Sequence, residues 1–154
     1  VYNVDLVREM INIAAKKPLL FRQSDIKILG WAIESRIYAE DPIKNFLPSI
    51  GRLNRYSPPK EINSEDFRLR TDSGVYEGVE IAVYYDPMIA KIITFGGDRS
   101  HAIQKMLSAL EQCQIEDVAT NLALLKAILK DPAFKDARAN TSYLEKNITT
   151  LMGL

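Results

Sequence analysis

The sequence predicts an α+β domain, with a mostly antiparallel sheet in the first two-thirds of the chain and packed helices after it. Two observations carry this prediction. Residues 30–40 and 88–95 have the alternation or the apolar, β-branched composition of strands, and turn-forming residues bound them. After residue 97, apolar residues recur instead at the three- and four-residue spacing of helices. Strands followed by helices are typical of the α+β class.

Composition limits the classes of function. The 154 residues are 47% hydrophobic and 26% charged, an ordinary balance for a globular domain. Twenty basic residues balance twenty acidic ones, so no overall positive field would attract nucleic acid or an anionic membrane. Cys113 is the only cysteine, which rules out an intrachain disulfide and a cysteine metal cluster. We therefore expect no nucleic-acid, membrane or metal site, and a reducing compartment: the cytoplasm or, in a eukaryote, the mitochondrial matrix.

A first helix is predicted at the start of the chain. Asn3 can cap it, and Pro18 closes it. Its apolar stripe consists of Leu6, Met10, Ile11 and Ile13.

Turn-forming residues divide the middle of the chain into strands. Asp41-Pro42 ends a strand that covers about residues 30–40. Asp86-Pro87 precedes a second strand, from Met88 to Phe95. Between these strands, the run Asp72-Ser73-Gly74 predicts a tight hairpin turn.

Three helices are predicted after residue 97. Asp98 can cap the first, and Thr120 or Asn121 can cap the second. Ser142 has the capping-box spacing with Glu145 at the start of the third. The apolar stripe of the first of these helices consists of Ala102, Ile103, Met106, Leu107 and Leu110.

The stretch GWAIESRIYAEDP, residues 30–42, carries the main candidate for a functional residue. Strand alternation gives one face with Trp31, Ile33, Ser35 and Ile37, and another with Glu34, Arg36, Tyr38 and Glu40. An arginine between carboxylates and beside a phenol suits a solvated ion pair. It equally suits a guanidinium that is held so that its donors face a ligand anion. Spacing alone leaves both interpretations open.

Asp86, in the string YYDP, is a second candidate. Its carboxylate can cap the turn before the following strand. It can also orient a cation on a neighbouring strand, such as Arg36. The residues alone leave this open as well.

Four strings together resemble the C-terminal domain of biotin carboxylase, in the family of biotin-dependent carboxylases: GWAIESRIYAEDP, FLPSIGRL, YYDPMIAKIITFG and NTSYLEK. The resemblance covers nearly the whole chain, in order and with family-like spacing. PSIGRL, DSGVYEG and YYDPMIAK look most like acyl-CoA carboxylases, above all the alpha subunits of propionyl-CoA carboxylases. The resemblance implies a ligase reaction in which biotin is carboxylated at the expense of ATP and bicarbonate, with Mg²⁺ accompanying ATP.

The resemblance also implies roles for individual residues. Arg36, in the string ESR, matches the family's biotin-contacting arginine, and Asp86 matches an aspartate that supports the biotin end of the pocket. Thr141 and Ser142 match a stretch that approaches the nucleotide, although Ser142 replaces the histidine of bacterial biotin carboxylase. Arg70 matches a dimer-interface position, and a solvated strand face is its alternative.

For the organisation of the chain, the resemblance implies a helix over residues 1–17 that leads out of an ATP-grasp domain, and the biotin carboxylase C-terminal domain over residues 18–154. The implied partners are that ATP-grasp part of the same chain, a biotin carboxyl carrier domain, a carboxyltransferase beta subunit and a second copy of this chain. ATP and Mg²⁺ would bind mainly to the ATP-grasp domain, so we expect residues 1–154 alone to be inactive. The alternative is a non-catalytic dimerisation or docking module, which would not need Arg36.

Overall fold

The computed structural model describes residues 4–82, 84 and 86–153, which form ten strands, five α-helices and two short 3-10 helices. The strands are β1 (Trp31–Tyr38), β2 (Glu40–Asp41), β3 (Leu47–Pro48), β4 (Gly51–Arg52), β5 (Arg55–Ser57), β6 (Ile62–Asn63), β7 (Phe67–Ser73), β8 (Glu80–Ile81), β9 (Met88–Gly96) and β10 (Gln114–Glu116). The helices are α1 (Leu6–Ala14), α2 (Arg99–Gln112), α3 (Leu122–Lys130), α4 (Pro132–Lys135) and α5 (Tyr143–Met152), with 3-10 helices at Gln23–Asp25 and Pro42–Lys44. The predicted α+β class is confirmed.

A four-stranded antiparallel sheet, in the order β1-β9-β7-β6, is the largest sheet of the described residues. One face of this sheet packs against α2, which contributes the buried side chains of Ile103, Met106 and Leu110. From the central strand β9, Ile92 and Thr94 are fully buried on this face. The opposite face of the sheet is described below as the outer face.

The pairing of β1 with β9 places the side chains of β1. The two strands pair along the whole of β1, and the register shifts once, between Ile37 and Tyr38. Ser35 and Ile37 are buried on the face that packs against α2, whereas Arg36 is exposed on the outer face. Trp31, at the start of the strand, is 50% exposed, so the predicted core face does not extend to it.

The prediction of a tight hairpin turn at Asp72-Ser73-Gly74 is wrong. β7 ends at Ser73, and the chain then leaves the sheet, pairs β8 with β4 and returns as β9 beside β7. This longer excursion packs Val79 and Ile81 against the core, and their burial outweighs the local turn preference. The tight turn of this sheet lies instead between β6 and β7.

Aspartate side chains cap the first turns of α1 and α2. At the start of α2, the Asp98 side chain accepts a hydrogen bond from the His101 backbone N–H at 2.7 Å, which confirms the predicted cap. Asn3, the predicted cap of the first helix, lies outside the described residues. Asp5 caps α1 by accepting from the Arg8 N–H at 3.0 Å.

The short helix α1 exposes its apolar stripe. Its large apolar side chains are each more than half exposed: Leu6, Val7, Met10, Ile11 and Ile13. An exposed apolar patch of this kind is typical of a surface that contacts another domain or another protein. Within the described ranges, no helix is long and apolar enough to cross a membrane.

Gly30, which leads into β1, should tolerate no larger residue. Its φ is +64°, and an added Cβ would lie 2.5 Å from the Gly96 carbonyl oxygen and 2.7 Å from the Phe95 ring. We expect Gly30→Ala to lower the free energy of unfolding by about 1–3 kcal/mol, because a left-handed conformation is strained for alanine. Gly74→Ala is the matched control, since no atom lies within 4 Å of that added Cβ. Urea unfolding compares the two variants, and equal stability would contradict the close approach at Gly30.

Candidate functional site

The outer face of the sheet carries the candidate site. Strand pairing arranges its side chains in three rows across β1, β9 and β7: Ala32, Phe95 and Arg68; Glu34, Ile93 and Arg70; Arg36, Lys91 and Asp72. The three rows hold more basic than acidic side chains, although the whole chain has no net charge. A sheet face with this local excess of positive charge suits an anionic ligand.

Arg36 is held in place by its neighbour two residues earlier in the strand. Its Nε donates a hydrogen bond to Glu34 Oε1 at 2.7 Å. This bond is the main reason that the pKa of Arg36 is raised above its ordinary value, with a smaller contribution from the Tyr38 hydroxyl. The Arg36 side chain is nevertheless 56% exposed. The result is a permanently charged, partly oriented guanidinium on an open surface.

Asn121 contacts the strand that carries Arg36, which sequence reasoning missed. Its Nδ2 donates to the Arg36 carbonyl oxygen and its Oδ1 accepts from the Tyr38 backbone N–H, both at 3.0 Å. Asn121 does occupy the N-cap position of α3, as predicted, but its side chain makes no capping bond. Thr120 Oγ1 accepts from the Leu122 N–H at 3.4 Å instead. An asparagine before a helix predicts a cap, and no local signal points to a partner more than 80 residues away.

Asp86 caps the turn that leads into β9. Its Oδ1 accepts from the Met88 N–H at 3.0 Å. The carbonyl oxygen of the next residue, Pro87, accepts a hydrogen bond from the Ala39 N–H at 2.8 Å. Asp86 therefore lies just beyond the C-terminal end of β1, the strand that carries Arg36. Among the described residues, no hydrogen bond or ion pair joins Asp86 to Arg36. The contacts of Asp86 are therefore those of a turn at the same end of the sheet.

Thr141 and Ser142 lie at the start of α5, a helix that packs against α3. Thr141 is exposed. Ser142 occupies the N-cap position, but its hydroxyl makes no bond to the helix, so the predicted capping box with Glu145 is wrong. The Ser142 N–H and Oγ both donate to Asn140 Oδ1, at 3.1 and 3.0 Å. This local asparagine turn competes with the helix cap for the serine hydroxyl.

Arg70 shares the outer face with Arg36, one row away. Its Nη2 donates to Asp72 Oδ2 at 3.0 Å, and its side chain is 67% exposed. The structure therefore places Arg36 and Arg70, the residue predicted at a dimer interface, on the same face of the sheet, with β9 between their strands. It places Asp86 at one end of β1.

Cys113 has a different environment from these residues. It is buried in the core, and burial raises the pKa of its thiol to about 11. The thiol is therefore protonated at neutral pH and is a poor nucleophile. Within the part of the chain that the structure describes, no group of three or more His, Cys, Asp or Glu side chains could hold a metal ion.

Residues 34–146 match the family of biotin carboxylase C-terminal domains. The chain belongs to this family. The propionyl-CoA carboxylase alpha chain of Ruegeria pomeroyi is 46% identical, in a match that covers 92% of this chain and 23% of that protein. The biotin carboxylase of Haemophilus influenzae is 45% identical over 145 residues, which cover 94% of this chain and 31% of that protein. The resemblance drawn from the sequence motifs is confirmed.

A solved structure supports the same assignment. The biotin carboxylase domain dimer of Hydrogenobacter thermophilus 2-oxoglutarate carboxylase, in complex with MgADP, ADP and bicarbonate, has a TM-score of 0.87 and 40% sequence identity. The match covers 98% of this chain and 32% of that one. The chain thus spans a third or less of the length of the relatives it matches.

The Glu34–Arg36 pair should contribute little to the stability of this family member, because the side chains are 42% and 56% exposed and an exposed ion pair is well screened. We expect Glu34→Gln and Arg36→Gln each to keep the melting temperature of the parent. Arg70→Gln is a matched control, since Arg70 also pairs two residues away along a strand. Thermal denaturation measures all three variants. A marked loss of stability in the two Glu34–Arg36 variants alone would show that this pair is structural.

Proposed function

We propose that this chain is the C-terminal part of the biotin carboxylase component of an acyl-CoA carboxylase, with propionyl-CoA as the final acceptor. The observation that carries the proposal is the exposed, oriented guanidinium of Arg36 on the outer face. The identity to propionyl-CoA carboxylase alpha chains supports the acyl-CoA class. The reaction to which the chain contributes is the carboxylation of biotin, driven by ATP and bicarbonate.

The chemical task explains why a fixed positive charge is needed. A ureido nitrogen of biotin is a weak nucleophile, and loss of its proton places negative charge on the ureido oxygen. Biotin is the substrate in this step, delivered on a carrier domain. A preorganised charged donor stabilises such an oxygen more in the transition state than in the ground state. Arg36 fits this role because its Nε donates a hydrogen bond to Glu34, and its terminal N–H groups are donors that suit an anionic oxygen.

The other predicted residues have supporting roles in this proposal. Asp86 holds the turn beyond the end of β1 and so helps to shape the biotin end of the pocket. Thr141, being exposed, is available to the nucleotide. Ser142 engages Asn140 and serves mainly to direct the chain into α5.

We infer that residues 1–17 connect this domain, residues 18–154, to an ATP-grasp part of the same chain that holds ATP and Mg²⁺. The exposed apolar stripe of α1 supports this, because it offers a surface for another protein part. The greater length of the relatives supports it too. A biotin carboxyl carrier domain and a carboxyltransferase beta subunit complete the proposed enzyme. On this proposal residues 1–154 alone carry no carboxylase activity.

A second copy of the chain is a further proposed partner. The exposed Arg70 side chain on the outer face is available to such a contact. The dimeric domain of the Hydrogenobacter thermophilus relative supports this proposal.

Substitution of Arg36 in the complete carboxylase tests the proposed function. We expect Arg36→Gln to lower the rate of biotin carboxylation about 10²–10³-fold, because the charge that opposes the ureido anion is lost. Bicarbonate-dependent ATP cleavage without biotin should fall much less. Arg36→Lys should recover only part of the rate, since a point charge does not replace the planar guanidinium. Both activities and the melting temperature are measured for each variant.

Arg55→Gln is the matched control, because Arg55 is an exposed, paired arginine on β5, outside the four-stranded sheet. It should keep both activities. A normal rate of biotin carboxylation in Arg36→Gln would favour the docking module, which needs the apolar stripe of α1 but not this charge. A collapse of the melting temperature together with activity would make Arg36 a structural residue.

A further inference from the structure

We propose that Asn121 is a positioning residue for Arg36: it fixes the backbone of β1 on both sides of Ile37 and so determines where the guanidinium lies. This inference rests on the proposed function of Arg36. It concerns the free edge of the sheet rather than its outer face.

The edge of β1 explains why such a contact is available. Among the residues that the structure describes, β1 is the terminal strand of its sheet and pairs with β9 on one side only. Asn121 lies on the other side, where its side-chain amide donates to the Arg36 carbonyl and accepts from the Tyr38 N–H. Its own backbone N–H donates to the Tyr38 carbonyl at 3.3 Å. A single residue thus replaces, over a short stretch, the hydrogen bonds of a neighbouring strand.

An irregularity in the pairing of β1 with β9 explains why the contact matters. Ile37 faces Ala90 but Tyr38 faces Met88, so the register shifts one residue after Arg36 and leaves Ile89 of β9 as the extra residue. Such an irregularity disrupts the ladder locally and changes the direction of nearby side chains. The ladder with β9 therefore fixes this part of β1 less well than the residues before it. The bonds from Asn121 supply the missing constraint at that point.

The choice of asparagine also fits this role. The amide offers a donor and an acceptor in one plane, and Asn121 uses one of each on β1. Serine and aspartate cap helices as well as asparagine does, but an ionised aspartate has no donor and serine carries its donor and acceptor on a single oxygen. The Thr120 hydroxyl, rather than the Asn121 side chain, accepts a hydrogen bond at the start of α3. Helix capping therefore does not explain the orientation of the Asn121 side chain.

Two constraints on Arg36 then come from different directions. Glu34 orients the end of the side chain through Nε. Asn121 holds the backbone from which that side chain extends. Because Asn121 immediately precedes α3, the position of that helix determines where Asn121 holds the backbone of Arg36. A displacement of a catalytic group by about 1 Å can lower a rate about 100-fold.

The test uses Asn121→Ala, Asn121→Asp, Arg36→Gln and the double variant Asn121→Ala/Arg36→Gln in the complete carboxylase. We expect Asn121→Ala to lower biotin carboxylation about 10- to 100-fold, with ATP cleavage in the absence of biotin near the parent rate. Asn121→Asp keeps the acceptor for Tyr38 but loses the donor to Arg36, so its rate should lie between those of Asn121→Ala and the parent. The double variant should be no slower than Arg36→Gln alone, since Asn121 acts through the arginine.

Asn147→Ala is the matched control, because the Asn147 amide also donates to a backbone carbonyl, but that of Tyr143 within α5. It should keep the parent rate. If Arg36→Gln is impaired but Asn121→Ala is not, or if the two losses multiply in the double variant, the positioning role is wrong and the proposed function stands. If Arg36→Gln carboxylates biotin normally, the proposed function itself fails.

Should Asn121→Ala fail to fold, Asn121→Asp decides the matter. A parent rate of biotin carboxylation in that variant would overturn the inference. Amide hydrogen exchange gives a second readout, because the Tyr38 N–H should exchange faster in Asn121→Ala but remain protected in Asn121→Asp.

Discussion

The antiparallel pairing of β1 with β9 is the constraint on which the proposed site depends. Side chains alternate along a strand, so a slip of one residue would turn Arg36 into the core and expose Ile37. The fully buried Ile37 and Ile92 oppose that slip, since burial of each such side chain is worth about 1.5–3 kcal/mol. The exposed ion pair between Glu34 and Arg36 adds little by comparison. Apolar burial on one face therefore decides where the charge lies on the other.

The two halves of the domain cooperate at this strand. The sheet supplies the register and presents the guanidinium on an open, locally basic surface. The helical half contributes at the free edge, where Asn121 binds the backbone of Arg36 and Tyr38. The arginine thus combines a rigid backbone with an exposed charged end. This combination suits a group that must meet a substrate delivered from elsewhere, because its position is fixed before the substrate arrives.

Local patterns predicted the two longest strands, four of the helices and the exposure of Arg36, because alternation, helical spacing and capping act over a few residues. Asp98 is an example, since it caps α2 as its position before a helix predicts. Contacts between distant segments could not be predicted in this way. The excursion after Ser73 depends on core burial of Ile81, and the orientation of Asn121 depends on a strand far away in sequence. The proposed role of Arg36 rests on the family motif, since spacing fitted a solvated ion pair equally well.

Chemical rescue of the missing side chain would test the central claim most directly. In the complete carboxylase, Arg36→Ala leaves space on an open face of the sheet, into which a small cation can diffuse. We expect added guanidinium ions, at concentrations below those that unfold the protein, to restore part of the rate of biotin carboxylation. Equal concentrations of sodium chloride should not. No rescue by guanidinium, or equal rescue by both salts, would contradict a local role for the planar charge of Arg36.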